Sequence, residues 1–118
     1  MDPKDAVKRY QFAERSKSEL LITSHLLMAL VSYPSKEKEG GRRMLLSLME
    51  EVRSEINFAY NSTQDMNFQK SINHMSEAIS LAESGQFGLA AEKVAGAISA
   101  VTTVAQEAWQ VLEEHGLL

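Results

Sequence analysis

Over the last quarter of the chain, Val94, Ile98, Val101, Ala105, Ala108 and Leu112 follow one another at steps of four, three, four, three and four. A step averaging 3.5 residues holds one side of an α-helix against a neighbour along its whole length. It restricts the neighbours to helices running nearly parallel or antiparallel to it. Such a helix is stable mainly through that packing, so the rest of the chain must supply its partners.

Three further helical segments answer this demand. The first starts at once: Asp2 suits a cap, Pro3 the first helical position, and Asp5 the positive end of the dipole. Its stripe runs through Ala6, Tyr10, Ala13, Leu20, Leu27 and Val31, with Lys17 and Ser24 as polar places on it. Pro34 disfavours helical geometry at Tyr33 and ends the segment near residue 32. "PSKEKEGG", with Gly40 and Gly41 as breakers, reads as a loop. A second helix follows over about 42–60, with Leu45, Leu48, Met49, Val52, Ile56 and Ala59 on one face. "NSTQ" (61–64) reads as a turn with Ser62 as the candidate cap; it holds no Gly or Pro, which leaves one bent helix as the alternative to two separate ones. The third helix spans about 64–83 with Phe68, Ile72, Met75, Ile79 and Ala82 on its stripe, and Gly85 supplies a left-handed stop. The fourth covers about 87–115, ended by Gly116. No strand pattern survives. The expected fold is all-α: a four-helix up-and-down antiparallel bundle forming one domain over residues 1–118.

Composition agrees with a single packed domain. At 118 residues, 44% apolar and 24% charged, the chain has the size and balance of an ordinary globular unit. It has no cysteine, which removes disulfides, thiolate metal sites and a cysteine nucleophile. The opening "MDPKDAVKRY" has no apolar run behind it, and "LLITSHLLMALVSY" (20–33) is short for a membrane span. The expectation is therefore a soluble, cytoplasmic protein without membrane contact. Residues 1–43 carry a net charge of +3 and residues 44–118 a net of −7. The overall −4 argues against a nucleic-acid partner, which calls for a basic face. Lys36, Lys38, Arg42 and Arg43 form a cationic cluster suited to an acidic partner, but Glu37 and Glu39 interrupt it, and a solvated loop is the simpler reading.

"SGQFGLAAEKVAGAI" has hairpin chemistry: Gly85 for the stop, Phe87 as a wedge, Ala90 and Ala97 where helices approach. These four residues resemble the inner turn of a tetratricopeptide repeat. Thr102 stands where that repeat calls for proline, and no second copy follows at the 34-residue period. The same hairpin with its "EEHGLL" ending is similar to small archaeal helical domains of unknown function. The residues carrying that likeness are Gly85, Gln86, Phe87, Ala90, Gly116, Leu117 and Leu118. It implies a helical fold and brings no activity.

A search for chemistry yields little. Glu51 and Glu55, one turn apart beside Glu50, suit a hard cation such as Mg²⁺. In this they resemble all-helical nucleotide pyrophosphohydrolases, which add a second acidic pair from a neighbouring helix. Glu77 and Glu83 are six residues apart and do not share a face. His25, His74 and His115 lack the Glu-x-x-His spacing of a carboxylate-bridged di-metal bundle. No Gly-x-Ser-x-Gly turn or phosphate-cradling loop exists, so no catalytic residue is assigned and no cofactor expected. Ala91, Ala95, Gly96 and Ala100 give the fourth helix small positions that permit close approach, inside the bundle or across an oligomer seam. The leading expectation is an association protein without enzymatic activity, meeting itself or a protein partner. The alternatives are a Mg²⁺-dependent hydrolase using Glu50, Glu51 and Glu55, or a small-ligand binder around Tyr10 and Trp109.

Overall fold

The computed structural model describes all of residues 1–118. Four helices make up the chain: α1 (Pro3–Val31), α2 (Ser35–Thr63), α3 (Met66–Glu83) and α4 (Phe87–Glu114). Each packs on its neighbours in sequence and α4 closes the ring on α1, giving an up-and-down four-helix bundle of 54 × 23 × 18 Å. The expected fold class is what the chain adopts.

All four buried stripes follow the same alternation of three and four. On α1 it runs Ala13, Ser16, Leu20, Thr23, Leu27, Leu30; on α2 Leu45, Met49, Val52, Ile56, Ala59, Thr63. On α3 it runs Phe68, Ser71, Met75, Ala78, Ala82, and on α4 Phe87, Ala90, Val94, Ala97, Val101, Val104, Ala108. This is the packing of helices inclined by about 20° to one another. Three of the buried polar side chains are small hydroxyls that bond to backbone carbonyls. Thr23 donates to the Glu19 carbonyl (2.9 Å), Thr63 to that of Ala59 (2.8 Å), and Ser71 crosses to Ala97 of α4 (3.1 Å). On α1 the polar positions inside are thus Ser16 and Thr23, where the sequence pointed to Lys17 and Ser24, and the stripe closes on Leu30 while Val31 is exposed.

The largest correction concerns "PSKEKEGG". It is not a loop but the start of α2, which begins at Ser35 and runs on to Thr63. Pro34 caps the helix, Glu37 sits in its first turn, and Gly40 and Gly41 lie inside it. Gly41 is held there by close packing, since a Cβ on it would stand 2.6 Å from Leu30 Cδ1 of α1. Lys36, Lys38, Arg42 and Arg43 are therefore helical residues. α2 and α3 are separate helices, and the break falls at Gln64 and Asp65. Gln64 takes a left-handed conformation (φ 57°). Asp65, not Ser62, caps α3 by accepting from the Asn67 N–H at 2.9 Å.

The other ends behave as expected. Asp2 accepts from the Asp5 N–H (2.7 Å) at the start of α1. Gly85 (φ 79°) and Gly116 (φ 67°) close α3 and α4 in left-handed turns. In each case the residue after the glycine bonds back to the helix, Gln86 to the Leu81 carbonyl and Leu117 to that of Leu112. Phe87 is buried directly behind the first of these turns.

The helices differ in length, and that shapes the surface. α3 has 18 residues while the others have 28 or 29. Arg42 of α2 donates to the Glu83 carbonyl at the end of α3, so α2 extends beyond α3 by the turns that precede Arg42. Arg9 reaches Asp65 (2.8 Å) and the Thr63 carbonyl (3.2 Å) at the α2–α3 turn. The apolar side of the first turns of α1 packs on α4, Ala6 against Ala108 and Leu112, while Lys8 and Arg9 reach the end of α2. All four helices pack together alongside α3, the shortest of them. α4 has the length and composition of a membrane span, with a mean hydropathy of 1.2 over its most apolar 18 residues. Nine of its residues are buried in the bundle.

Candidate association surface

α1 carries apolar side chains beyond its core stripe. Ile22, Leu26, Ala29 and Tyr33, at steps of four, three and four, form a second row exposed on its outer side. Gly41, Met44 and Leu48 of α2 run beside it, at steps of three and four. Between the rows lies an open groove of about 500 Å³, floored by the core residues Leu30 and Leu45, and no residue of α3 or α4 reaches it. Fifteen large apolar side chains of this protein are exposed, and three of them, Leu26, Tyr33 and Met44, line this groove. Met44, at 79% exposure, is the most open of them. Single exposed apolar residues are ordinary; a contiguous group at one place marks an interaction surface.

Sequence reasoning missed this surface because it used the apolar residues of 20–33 to build the core. The available signal was excess: one helix face cannot absorb Leu21, Ile22, Leu26, Met28, Val31 and Tyr33 in addition to Leu20, Leu27 and Leu30.

Charges border the groove along α2. Lys36, Gly40, Arg43, Ser47 and Glu50 follow one another at helical spacing and are all exposed, and Arg43 and Ser47 stand directly beside Met44. Glu51 continues the row of Met44 and Leu48. Lys36, Arg43, Glu50 and Glu51 take part in none of the ion pairs of the chain, which are Arg9–Asp5, Arg9–Asp65, Arg15–Glu19, Arg15–Glu55, Arg42–Glu39 and Lys93–Glu77.

Deeper along the same face, Arg15 bridges Glu19 (3.2 Å) and Glu55 (2.8 Å), tying α1 to α2. Burial, helped by a hydrogen bond and repulsion from Glu55, raises the Glu19 carboxyl from its ordinary 4.5 to about 7 against the opposing pull of Arg15. Phe12 and Phe58 meet edge-on beyond it, ring centroids 5.9 Å apart. On the opposite side of the bundle, Lys93 holds the Glu77 carboxyl below its ordinary value, and Glu77 raises Lys93 in return.

The residues singled out from sequence fall in separate places. Glu50 and Glu51 are exposed on α2, while Glu55 is engaged by Arg15, and no three acidic or histidine side chains gather as a metal-holding group. Tyr10 and Trp109 pack on each other, centroids 5.6 Å apart and planes tilted by 41°, at the α1–α4 end. Of the small residues on α4, Gly96 faces α3, where a Cβ would come within 2.8 Å of the His74 ring. Ala91 and Ala100 are half-buried and Ala95 is exposed. Gly96 thus serves a contact inside the bundle. His25 is exposed, and His115 bonds through Nδ1 with the Val111 carbonyl at 2.8 Å in the last turn of α4.

No protein-family model, no curated protein and no solved structure matches this chain.

Proposed function

We propose that the protein acts by self-association, with the outer α1–α2 face as the seam and a second copy of the chain as its occupant. The observation that carries this reading is the clustering of exposed apolar side chains around one groove. Leu26, Tyr33 and Met44, all large and exposed, line it, Ile22 continues the Leu26 row one turn on, and Gly41 keeps the α2 side low. Burying such a patch is worth roughly 25 cal/mol for each Å² of apolar surface removed from water. A closed two-fold dimer uses the same patch on both subunits, so one self-complementary surface is sufficient.

The groove favours a second copy over an unrelated acidic helix because its borders carry both signs of charge, cationic at Lys36 and Arg43 and acidic at Glu50 and Glu51. An acidic partner would meet repulsion along half its length.

The test is sedimentation velocity on the wild type beside Leu26→Asp and Met44→Asp, with Val7→Asp at the opposite end as a control. Positions 26 and 44 are exposed, so both variants should keep their helicity. The expected result is a wild-type dimer, groove variants that sediment as monomers, and a control that behaves as wild type. Groove variants that remain as associated as the wild type would overturn the reading.

A further inference from the structure

From the order of charges on α2 we infer the geometry of that association: two copies pair their α1–α2 faces antiparallel about a two-fold axis, Arg43 of each against Glu50 of the other. This inference rests on the proposed self-association and specifies its register.

Arg43 and Glu50 are seven residues apart, two helical turns or about 10 Å along the axis, and they lie on the same exposed side of α2. Neither has an ion-pair partner within its own chain. A second copy laid in the same direction and register sets arginine on arginine and glutamate on glutamate. Turned end for end, it sets each arginine on a glutamate, twice by symmetry.

That reversal places the two-fold axis beside Ser47, midway between the two charges. A small side chain at the crossing lets two helices approach closely. Counting outward from the axis, Met44 of one copy comes opposite Leu48 of the other, so the most exposed apolar residue meets an apolar partner. Ile22 and Leu26 lie at the same level on α1, since Arg15 pairs with Glu55 and Leu30 packs over Gly41. Glu37, the one acidic side chain near Lys36 without an ion pair, falls opposite the uncharged stretch around Asn57 and Phe58. Apolar contact supplies the attraction in this arrangement, and the charges select direction and register.

Charge exchange tests the pairing. Three variants, Arg43→Glu, Glu50→Arg and the double exchange Arg43→Glu/Glu50→Arg in one chain, are compared with wild type by sedimentation equilibrium at low and high salt. Compared at dilutions where every form is monomeric, all should melt as wild type does, because both residues are exposed and unpaired within the chain. Each single change should weaken dimerisation by tenfold or more, and the double exchange should restore it to within a few-fold. Two dimerising single variants, or a double variant weaker than both, would overturn the antiparallel register while leaving self-association standing. A wild type that stays monomeric overturns the register together with the reading it rests on.

Discussion

A Cβ added to Gly41 would stand 2.6 Å from Leu30 Cδ1, so any larger residue there requires the Leu30 side chain to turn aside. Gly40, its neighbour in sequence, meets nothing within 4 Å. Two adjacent glycines in one helix therefore serve different ends. Gly40→Ala should raise stability by about 0.5–1 kcal/mol, the helix-propensity difference, because it adds a methyl group in open space. Gly41→Ala should gain less or lose, since Leu30 must move aside. Chemical denaturation of the two variants checks the order, and an equal gain at both positions would contradict the close approach.

The same glycines show how sequence and structure diverge. Two consecutive glycines after a charged run look like a breaker, because isolated helices tolerate glycine poorly. In the folded chain, packing against Leu30 outweighs that local cost. At Gln64 the turn read in "NSTQ" does form, without the Gly or Pro that ordinarily marks one, and the chain enters the left-handed region. That break is fixed by tertiary contacts: Arg9 holds both Asp65 and the Thr63 carbonyl, and the Asp65 N–H donates to Thr63 Oγ1 (3.2 Å). Gly85 and Gly116 were readable because glycine there serves both the local and the global geometry.

Gln64 is exposed and left-handed without being glycine, a conformation that costs an ordinary residue about 1–2 kcal/mol. Gln64→Gly should relieve that strain and raise the melting temperature, even though glycine gains freedom in the unfolded chain. Gln64→Val should lower it, because a β-branched side chain suits that region least. Thermal melts of the pair give the answer directly; a valine variant as stable as the glycine one would refute the strain.

Core positions were legible to within one residue. Spacing identified the correct side of each helix but favoured the larger side chain where two candidates adjoin. The spacing points to Ile72 beside Ser71 and to Ile98 beside Ala97, yet Ser71 and Ala97 are the fully buried ones. Close packing across a section of 23 × 18 Å puts the small residue inside and leaves the isoleucine half-covered at the seam. The association surface escaped for a related reason, since apolar residues were assigned to the core before the core's capacity was known.

α4 offers a contrast between neighbouring small residues. Gly96 lies against the His74 ring, whereas Ala95 is exposed. Gly96→Leu should destabilise the fold by about 1–3 kcal/mol, the usual range for over-packing, and Ala95→Leu should leave stability nearly unchanged. Neither should alter the mass of the assembly if it forms through the proposed α1–α2 seam. A change of mass with Ala95→Leu would instead make α4 the seam.

Glu19 gives stability a pH dependence of definite sign. Its carboxyl is raised to about 7 in the folded chain, so the native state holds a proton that the unfolded state releases near 4.5. Its contribution is therefore complete below about 4.5 and is lost as pH rises through about 7. Glu19→Gln, neutral throughout, should flatten the fall in stability across that interval and be more stable than wild type at pH 8. Glu39 and Glu77, held low by Arg42 and Lys93, act in the opposite sense and only below the ordinary glutamate value. Melting temperatures of wild type and Glu19→Gln between pH 4 and 8 separate the two effects. Parallel curves would show that Glu19 does not carry the dependence.

The central claim is that the outer α1–α2 face is covered by a second copy of the same chain. Light scattering on the eluting wild-type protein, without a tag and over a range of concentrations, tests it most directly. A mass of twice the 13.1 kDa chain, falling toward the monomer on dilution, is the expected result. A mass that remains at 13.1 kDa up to the highest concentration would contradict it.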